Sequence, residues 1–164
     1  MKNRSFYFLG VLLMLISALF VARKIKRNYV PSIELSSLVL KDVDGRKIDL
    51  ARYAGNPMVV NFWGTWCGPC RQEFPDFETV KEKYGDRVNF IMVSDEPLDK
   101  IAAFKTDNRY TFFYAQSQKS FLELGIPAVP LTYIYDAKGK LFAKRKDPIN
   151  EKKLDDLIIE INNR

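Results

Sequence analysis

Two cysteines three positions apart are the residues of this chain best suited to chemistry. Cys67 and Cys70 are its only cysteines, and they stand in the run Trp-Cys-Gly-Pro-Cys. A disulfide needs Cα atoms about 4.4–6.8 Å apart, which two residues in the first turn of a helix satisfy with little backbone movement. Because a bridge across so short a loop removes little entropy from the unfolded chain, stability is a weak reason for it. The spacing therefore predicts a redox-active dithiol that opens and closes.

The segments on either side of the cysteines predict how they are positioned. Residues 58–63 are apolar and rich in β-formers, which favours a strand, and apolar residues recur at helical spacing through residues 71–84. Cys67 would then lie at a helix N-terminus, where unpaired N–H groups and the helix dipole stabilise a thiolate and lower its pKa. We predict that Cys67 is the nucleophile. Cys70, one turn further and more covered, would resolve the mixed disulfide.

The neighbours of the cysteines predict a surface for a partner chain. Pro69 suits the first helical turn because its missing N–H would be unpaired there, and Gly68 allows close approach to Cys67. We place Trp66 on the rim of a client groove, whereas Trp63 is expected to pack inward. Trp66, Gly68 and Pro69 are therefore predicted substrate contacts.

Other uses of two sulfurs fit the sequence less well. Zinc would require four ligands, and the chain has two cysteines and no histidine, so a metal site would need a second copy of the chain. The alternative is a pair of buried thiols with no chemical role, and the position of the cysteines at the start of a helix disfavours it. We predict no metal and no cofactor other than the Cys67–Cys70 disulfide itself.

Residues 61–75 resemble a known active-site stretch. Their sequence, NFWGTWCGPCRQEFP, is similar to that of the TlpA/ResA branch of the thioredoxin superfamily, the membrane-anchored extracytoplasmic thiol-disulfide oxidoreductases. The resemblance runs from about residue 30 to the C-terminus, and GIPAVP at residues 125–130 is its second hallmark. It implies a thioredoxin-like α/β fold, a mixed central sheet flanked by helices. An N-terminal β-hairpin extension is expected over residues 33–50, with its turn at residues 42–45.

The resemblance also implies a role for a proline. In thioredoxin-like proteins the proline before the late strand is cis and packs beside the dithiol, a place that Pro130 occupies here, with Pro127 as the rival candidate. Physical reasoning alone also allows a trans proline that merely begins the strand at residues 131–135. With Pro130 in the family's place, Val129 would offer its backbone groups to a bound client peptide.

Glu73 is the carboxylate that the resemblance implies at the site. It stands three positions after Cys70 on the same predicted helix and therefore close to its face. In the ResA-like branch a carboxylate here takes part in proton handling and client recognition. Thioredoxins carry a buried aspartate where this chain has Asn61, so that proton acceptor is missing. Without the resemblance, Glu73 reads as a solvated glutamate on the helix surface.

The N-terminal segment predicts a membrane anchor. Residues 6–22 are apolar apart from a glycine and a serine, and with Ser5 they would make a helix about 27 Å long against a hydrocarbon core of about 30 Å. No convincing small-x-small cleavage site precedes Arg23. We predict a signal anchor and transmembrane helix over residues 1–22 and a basic linker over residues 23–30.

Orientation in the membrane follows from the resemblance and not from charge. Basic residues flank both ends of the apolar segment, so the positive-inside rule is neutral or mildly contrary to export of the C-terminal domain. The resemblance implies a single-pass protein of the cell membrane with its catalytic domain on the extracytoplasmic side. The predicted anchor also makes the lipid bilayer a partner.

The charge of the chain belongs to its N-terminal part. The chain has 26 Lys and Arg against 20 Asp and Glu, and residues 1–30 hold six basic residues and no acidic one. The rest is therefore balanced, which gives no support for nucleic-acid binding. The 134 residues after Val30 suffice for one thioredoxin-like domain, residues 31–164. Within it, β-strands at 58–63, 88–94, 110–115, 131–135 and 140–144 and helices at 71–84, 97–105 and 150–162 are expected.

The resemblance implies a function as well as a fold. It indicates a membrane-tethered thiol-disulfide oxidoreductase that reduces disulfides of exported proteins, with apocytochrome c as a natural client and a membrane thiol transporter as electron donor. A thiol peroxidase of the peroxiredoxin-like branch is one alternative, but those enzymes place threonine three residues before the reactive cysteine, and Thr65 is two before Cys67. A non-catalytic client-binding module of thioredoxin fold is the other.

Overall fold

The chain forms two compact units, Met1–Val30 and Pro31–Arg164. A computed structural model describes the backbone of residues 3–163, and the side chains of these residues except 3–7, 22 and 24–28. Met1 and Lys2, which begin the predicted anchor, and Arg164 lie outside the described residues.

The first unit contains one long helix, α1, over Asn3–Asn28. Its described apolar side chains are largely exposed; Phe8 is 70% and Met14 72% exposed. The helix continues through most of the segment that we interpreted as a linker. In the part of the chain that the structure describes, no helix combines the length and the apolar character needed to cross a membrane. The membrane-spanning helix expected over residues 1–22 is thus not confirmed and stays a prediction.

The second unit is built on one mixed sheet, as expected. Its seven described strands are β1 Leu40–Asp42, β2 Lys47–Ile48, β3 Met58–Phe62, β4 Asn89–Ser94, β5 Phe113–Ser117, β6 Leu131–Tyr135 and β7 Leu141–Arg145. They pair in the order β2-β1-β5-β4-β3-β6-β7. The central strands β3, β4 and β5 are mutually parallel, and the outer strands pair antiparallel.

Strands β1 and β2 pair antiparallel around a tight turn. Gly45 takes a positive φ of 82° there, a conformation that costs a glycine little. The paired segment is shorter than the hairpin expected over residues 33–50, because Leu35–Ser37 and Leu50–Tyr53 form 3₁₀ turns. Strand β1 also pairs with β5, which joins this extension to the main sheet.

Three helices cover one face of the sheet. They are α2 Gly68–Tyr84, α3 Leu98–Asp107 and α4 Glu151–Asn162. Their apolar sides share one buried cluster with alternate residues of the strands, among them Val59, Met92 and Ile134. Helix α2 is the largest contributor, and its inner side also buries Cys70 and Glu73. The position of the dithiol is therefore tied to the main core.

The second face of the sheet is covered by an extended segment. The hydroxyl of Tyr133 donates to the carbonyl of Pro31 and that of Tyr135 to the carbonyl of Ile33, over 2.9 and 2.8 Å. Ile33 and Leu38 are buried beneath this segment. The expectation of a sheet flanked by helices holds for one face, while residues 31–38 protect the other.

Candidate active site

The chain between β3 and α2 forms a turn that presents Cys67. Strand pairing continues one residue past β3, since the amide of Trp63 donates to the carbonyl of Val93. The amide of Cys67 then donates to the carbonyl of Gly64 over 3.0 Å, which closes the turn. Cys67 is the N-cap of α2, with extended backbone angles, and Pro69 lies in the first helical turn. The position expected for Cys67 is therefore the observed one.

Cys67 and Cys70 are joined by a disulfide, with their Cα atoms 5.3 Å apart. The amide of Cys70 donates to Sγ of Cys67 over 3.2 Å. Both residues are buried: Cys67 is 3% exposed and Cys70 is fully covered. A free N–H of the first helical turn thus points at the sulfur that we expect to be the nucleophile. Cys67 is the sulfur with access to solvent.

The surface around Cys67 contains the predicted substrate contacts. Trp66 is 69% exposed, and Gly68 and Pro69 are exposed beside it. The indole of Trp66 lies over Gly64, where a Cβ would stand 2.7 Å from its Nε1 atom. Trp63, by contrast, is fully buried, with its ring centroid 4.6 Å from that of Phe104, in accord with its expected inward packing.

The peptide bond between Val129 and Pro130 is cis. In the described residues it is the only cis bond, so Pro127, the rival candidate, is not the cis-proline and is instead exposed. Phe62, the last residue of β3, pairs with Leu131, the first residue of β6. The cis bond therefore lies at the same end of these strands as the turn that leads from β3 to Cys67. Val129 is half-buried there and Pro130 buried.

Glu73 is buried on the inner side of α2, one turn beyond Cys70, and is 3% exposed. Its Oε1 accepts from Nδ2 of Asn61 over 2.8 Å, and its Oε2 accepts from the amide of Ile149 over 3.0 Å. Burial raises the pKa of Glu73 to about 7, although both hydrogen bonds favour the charged form. The alternative of a solvated surface glutamate is wrong, because the helix turns this side chain into the core.

Asn61 connects this carboxyl group to the sheet. Its Nδ2 also donates to Oγ1 of Thr132 on β6 over 3.0 Å. Its Oδ1 is buried and has no hydrogen-bond partner among the described residues. The side-chain amide of Asn61, at the position where thioredoxins carry an aspartate, thus serves as a fixed hydrogen-bond donor to Glu73.

A second buried carboxylate, which sequence reasoning missed, lies beside the Cys67 turn. Glu96 follows β4, is 8% exposed, and accepts from the amide of Thr65 over 2.6 Å and from its Oγ1 over 2.8 Å. An acidic residue just after a buried strand, at the edge where the dithiol stands, was the signal that could have revealed it. The amide of Ile149, which binds Glu73, has no comparable signal in the sequence.

These groups can exchange electrons and protons with a disulfide. The sulfur pair supplies two electrons when reduced, and Glu73, with its pKa near neutrality, can take up or release a proton at physiological pH. Among the described residues no cluster of three or more His, Cys, Asp and Glu side chains could hold a metal ion. The arrangement suits thiol-disulfide exchange.

Comparisons with known proteins agree with this chemistry. The AhpC/TSA family model matches residues 28–144. Thiol-disulfide oxidoreductase ResA of Bacillus anthracis is 30% identical over 151 residues, 85% of this chain and 86% of that protein. Thioredoxin-like protein YneN of Bacillus subtilis is 33% identical over 105 residues, 61% of this chain and 62% of YneN. The crystal structure of StoA from Bacillus subtilis has a TM-score of 0.62 at 21% identity, covering 77% of this chain and 98% of StoA.

Proposed function

Because the chain belongs to the AhpC/TSA family and is a ResA-like thiol-disulfide oxidoreductase of the thioredoxin superfamily, we propose that it reduces disulfides of exported proteins. The observation that carries this proposal is the disulfide between Cys67, at the N-terminus of α2, and Cys70 one turn below. The Gly-Pro pair between the cysteines, which resembles that of the reducing thioredoxins, supports the reducing direction.

The proposed reaction has two exchanges. The Cys67 thiolate attacks one sulfur of a client disulfide, forms a mixed disulfide and releases the first client thiolate. Cys70 then attacks Sγ of Cys67, which releases the second client thiolate and leaves the Cys67–Cys70 disulfide. Two electrons pass from the protein to the client, so a thiol donor must reduce the protein again. We place this donor in the membrane, as a thiol transporter.

The helix N-terminus gives Cys67 its role as nucleophile. The amide of Cys70 points at Sγ of Cys67, and a thiolate formed there accepts a hydrogen bond at the positive end of α2. Cys70 lacks solvent access, so it meets only a partner that is already bound to Cys67. The two sulfurs therefore act in a fixed order.

Glu73 serves the second exchange. Cys70 must lose its proton before it attacks, and the carboxyl group one turn away on the same inner side of α2 can accept that proton. Its pKa of about 7 leaves the group divided between its two protonation states near neutral pH. Asn61 and the amide of Ile149 hold the carboxyl group in one orientation.

The client groove is the surface around Cys67 bounded by Trp66 and by Val129 with Pro130. Val129 is half-buried at the edge from which β6 begins, and its backbone can pair with an extended client segment. Gly68 and Pro69 are exposed and leave room for that segment beside Cys67. A Cys-x-x-Cys-His segment of apocytochrome c, oxidised between its cysteines, is our proposed natural client.

The peroxidase alternative receives less support from the geometry. The AhpC/TSA match is compatible with it. However, the residue three before Cys67 is Gly64, and the hydroxyl of Thr65 donates to Glu96. A peroxide bound at Cys67 would lack that threonine hydroxyl. A non-catalytic binding module would leave the paired sulfurs without a use.

We also propose that α1 tethers the enzyme to the cell membrane with the catalytic domain outside the cytoplasm. Support comes from the apolar sequence of residues 6–22 and from the exposed apolar side chains of residues 8–21 in α1. The basic residues that follow suit anionic lipid headgroups. A tether of this kind keeps the dithiol near a membrane donor.

Turnover of a defined client tests the proposed function. The pre-reduced full-length chain is mixed with a peptide that carries one intramolecular Cys-x-x-Cys disulfide, and released peptide thiols are counted. We expect two thiols per protein molecule from the native chain and no complete reduction from Cys67→Ser or Cys70→Ser. Reduction by Cys67→Ser at the native rate would exclude the mechanism.

A further inference from the structure

Glu96 makes contacts that the exchange reaction itself does not use. Its carboxylate accepts two short hydrogen bonds from Thr65, one from the amide and one from the hydroxyl, over 2.6 and 2.8 Å. The two residues are far apart in sequence, and Glu96 is 8% exposed. A largely buried carboxylate must find such donors, because removal from water is costly.

Glu96 is itself held firmly by the sheet. The hydroxyl of Ser94, at the end of β4, donates to Oε2 over 3.3 Å, and the amide of Glu96 donates back to that hydroxyl over 3.2 Å. Nε2 of Gln116 on β5 donates to the carbonyl of Glu96 over 3.0 Å. Contacts with β4 and β5 thus hold both the side chain and the backbone of Glu96 in place.

Thr65 lies in the turn that carries Trp66 and Cys67. That turn closes through the amide of Cys67 and the carbonyl of Gly64. The side chain of Trp66 packs over Gly64, so the position of its exposed indole depends on the backbone conformation of the turn. Because Glu96 binds both donors of Thr65, it sets where the indole stands relative to Cys67.

Asp95, the neighbour of Glu96, holds the opposite loop. Its Oδ2 accepts from the amide of Phe121 over 2.8 Å, and the ring of Phe121 packs edge-on against Phe62 with centroids 5.7 Å apart. The turn at residues 121–125 that starts here presents Leu122, which is 86% exposed. The same loop continues to Val129 and the cis bond.

We propose that Asp95 and Glu96 are positioning residues that hold the two walls of the client groove, and that Trp66 and Leu122 on these walls bind apolar side chains flanking a client disulfide. Both walls stand at one edge of the sheet, where β3 and β4 end and β6 begins. Among the described side chains of residues 31–163, Trp66 and Leu122 are the most exposed large apolar ones. The inference rests on the proposed function, because it names the client that this function serves.

The test compares two substrates in the full-length chain. One is a peptide disulfide with leucine or phenylalanine on each side of its cysteines, and the other is hydroxyethyl disulfide, which has no such side chains. Glu96→Ala removes both acceptor oxygens that bind Thr65 and so releases the turn. We expect kcat/KM for the peptide to fall about tenfold, mainly through KM, and that for hydroxyethyl disulfide to change less than about twofold.

A matched variant separates positioning from general loss of stability. Glu78 accepts from the amide and the hydroxyl of Thr111 in the same two-donor pattern. Glu78→Ala removes an equivalent acceptor outside the groove walls and should leave the ratio of the two kcat/KM values unchanged. If Glu96→Ala does not fold, Thr65→Ala removes only the hydroxyl contact and should shift the ratio less, in the same direction.

Asp95 provides the second arm of the test. Asp95→Asn keeps an oxygen that can accept from the amide of Phe121, whereas Asp95→Ala removes it. We expect Asp95→Ala to lower kcat/KM for the peptide and Asp95→Asn to restore most of it. Unchanged peptide kinetics in Glu96→Ala, or an equal fall for both substrates, overturn the inference while the proposed function stands. A native chain that cannot reduce the peptide overturns the proposed function instead.

Discussion

Glu73 is the residue whose chemistry depends most on its surroundings. The fold removes this carboxyl group from water, which raises its pKa to about 7, and two donors still hold it in place. A carboxyl group in that range can pass a proton to or from a thiol at neutral pH. Glu73 therefore contributes to the enzyme through its protonation equilibrium as well as through its shape.

Glu73→Gln should slow disulfide exchange and remove a pH effect. The amide keeps the shape of the side chain but cannot accept the proton of Cys70. We expect kcat for a peptide disulfide to fall about tenfold at pH 7, and the inflection near pH 7 in the native pH–rate profile to disappear. Stopped-flow rates from pH 5 to 9 measure both. Superimposable profiles would remove Glu73 from the mechanism.

The same variant should change how stability depends on pH. The folded state binds the Glu73 proton more tightly than the unfolded chain does, because the pKa rises from 4.5 to about 7. Stability from this group is therefore complete at low pH and is lost as the pH rises through about 7, by about 3 kcal/mol in total. Urea unfolding of Glu73→Gln should lack that loss, and an unchanged pH dependence would contradict the burial argument.

At this scale the sequence predicts what lies close along the chain. Glu73 could be placed near Cys70 because three positions on a helix bring side chains together. Its burial and its bond to the amide of Ile149 could not be predicted, since that partner is 76 positions away. Glu96 was missed for the same reason, its partner Thr65 being 31 positions away. Such contacts exist only after the strands have paired.

Among the elements, the turn between β3 and α2 presents the reactive sulfur and the exposed indole together. Gly64 is needed there because Trp66 lies directly over it. The N–H of Cys70, in the first turn of α2, then faces Sγ of Cys67. Turn and helix together define the reactive end of the client groove.

Gly64→Ala should displace Trp66 and leave the disulfide in place. The new Cβ would stand 2.7 Å from Nε1 of the indole, so the ring must rotate away. We expect kcat/KM for an apolar peptide disulfide to fall about two- to tenfold, with a change in tryptophan fluorescence. Gly10→Ala adds the same methyl group in open space on α1 and is the control. Altered fluorescence with unchanged kinetics in Gly64→Ala would show that the indole does not contact the client, and unaltered fluorescence would contradict the close approach of the indole to Gly64.

Strands and helices are predicted correctly where the spacing of apolar residues alone determines them. The strand at residues 131–135 was predicted with the bounds of β6, and the helix at 150–162 within one residue of α4. Strand β5 begins three residues later than predicted, because the amide of Thr111 donates to Glu78 instead of a neighbouring strand. The extended cover of the second face has no periodicity and could not be predicted.

At the scale of the whole molecule, charge and apolar surface are divided between the two units. The excess of basic residues belongs to residues 1–30, and the rest of the chain is electrically balanced. Client binding by the second unit should therefore depend on shape and apolar contact more than on net charge. The first unit is the part of the chain that we propose as a membrane tether.

The tether can be tested by fractionation of cells that make the full-length chain. We expect the protein to sediment with membranes and to resist an alkaline wash. Leu13→Arg with Leu15→Arg should release it, because each arginine in a membrane helix costs about 2.5–3.5 kcal/mol. Ile159→Arg adds a charge at an exposed position of α4 and should not. A native chain recovered in the wash would contradict the tether.

The central claim, that Cys67 attacks a client disulfide and Cys70 resolves the product, is tested most directly by trapping the intermediate. Reduced full-length Cys70→Ser is mixed with the Cys-x-x-Cys peptide disulfide and analysed by mass spectrometry after alkylation and digestion. We predict one adduct, with the peptide joined to Cys67 and preserved because alkylation blocks the released peptide thiol before it can attack back, and no comparable adduct from Cys67→Ser. An adduct that forms as fast on Cys70 of Cys67→Ser, with none on Cys67 of Cys70→Ser, would contradict the account.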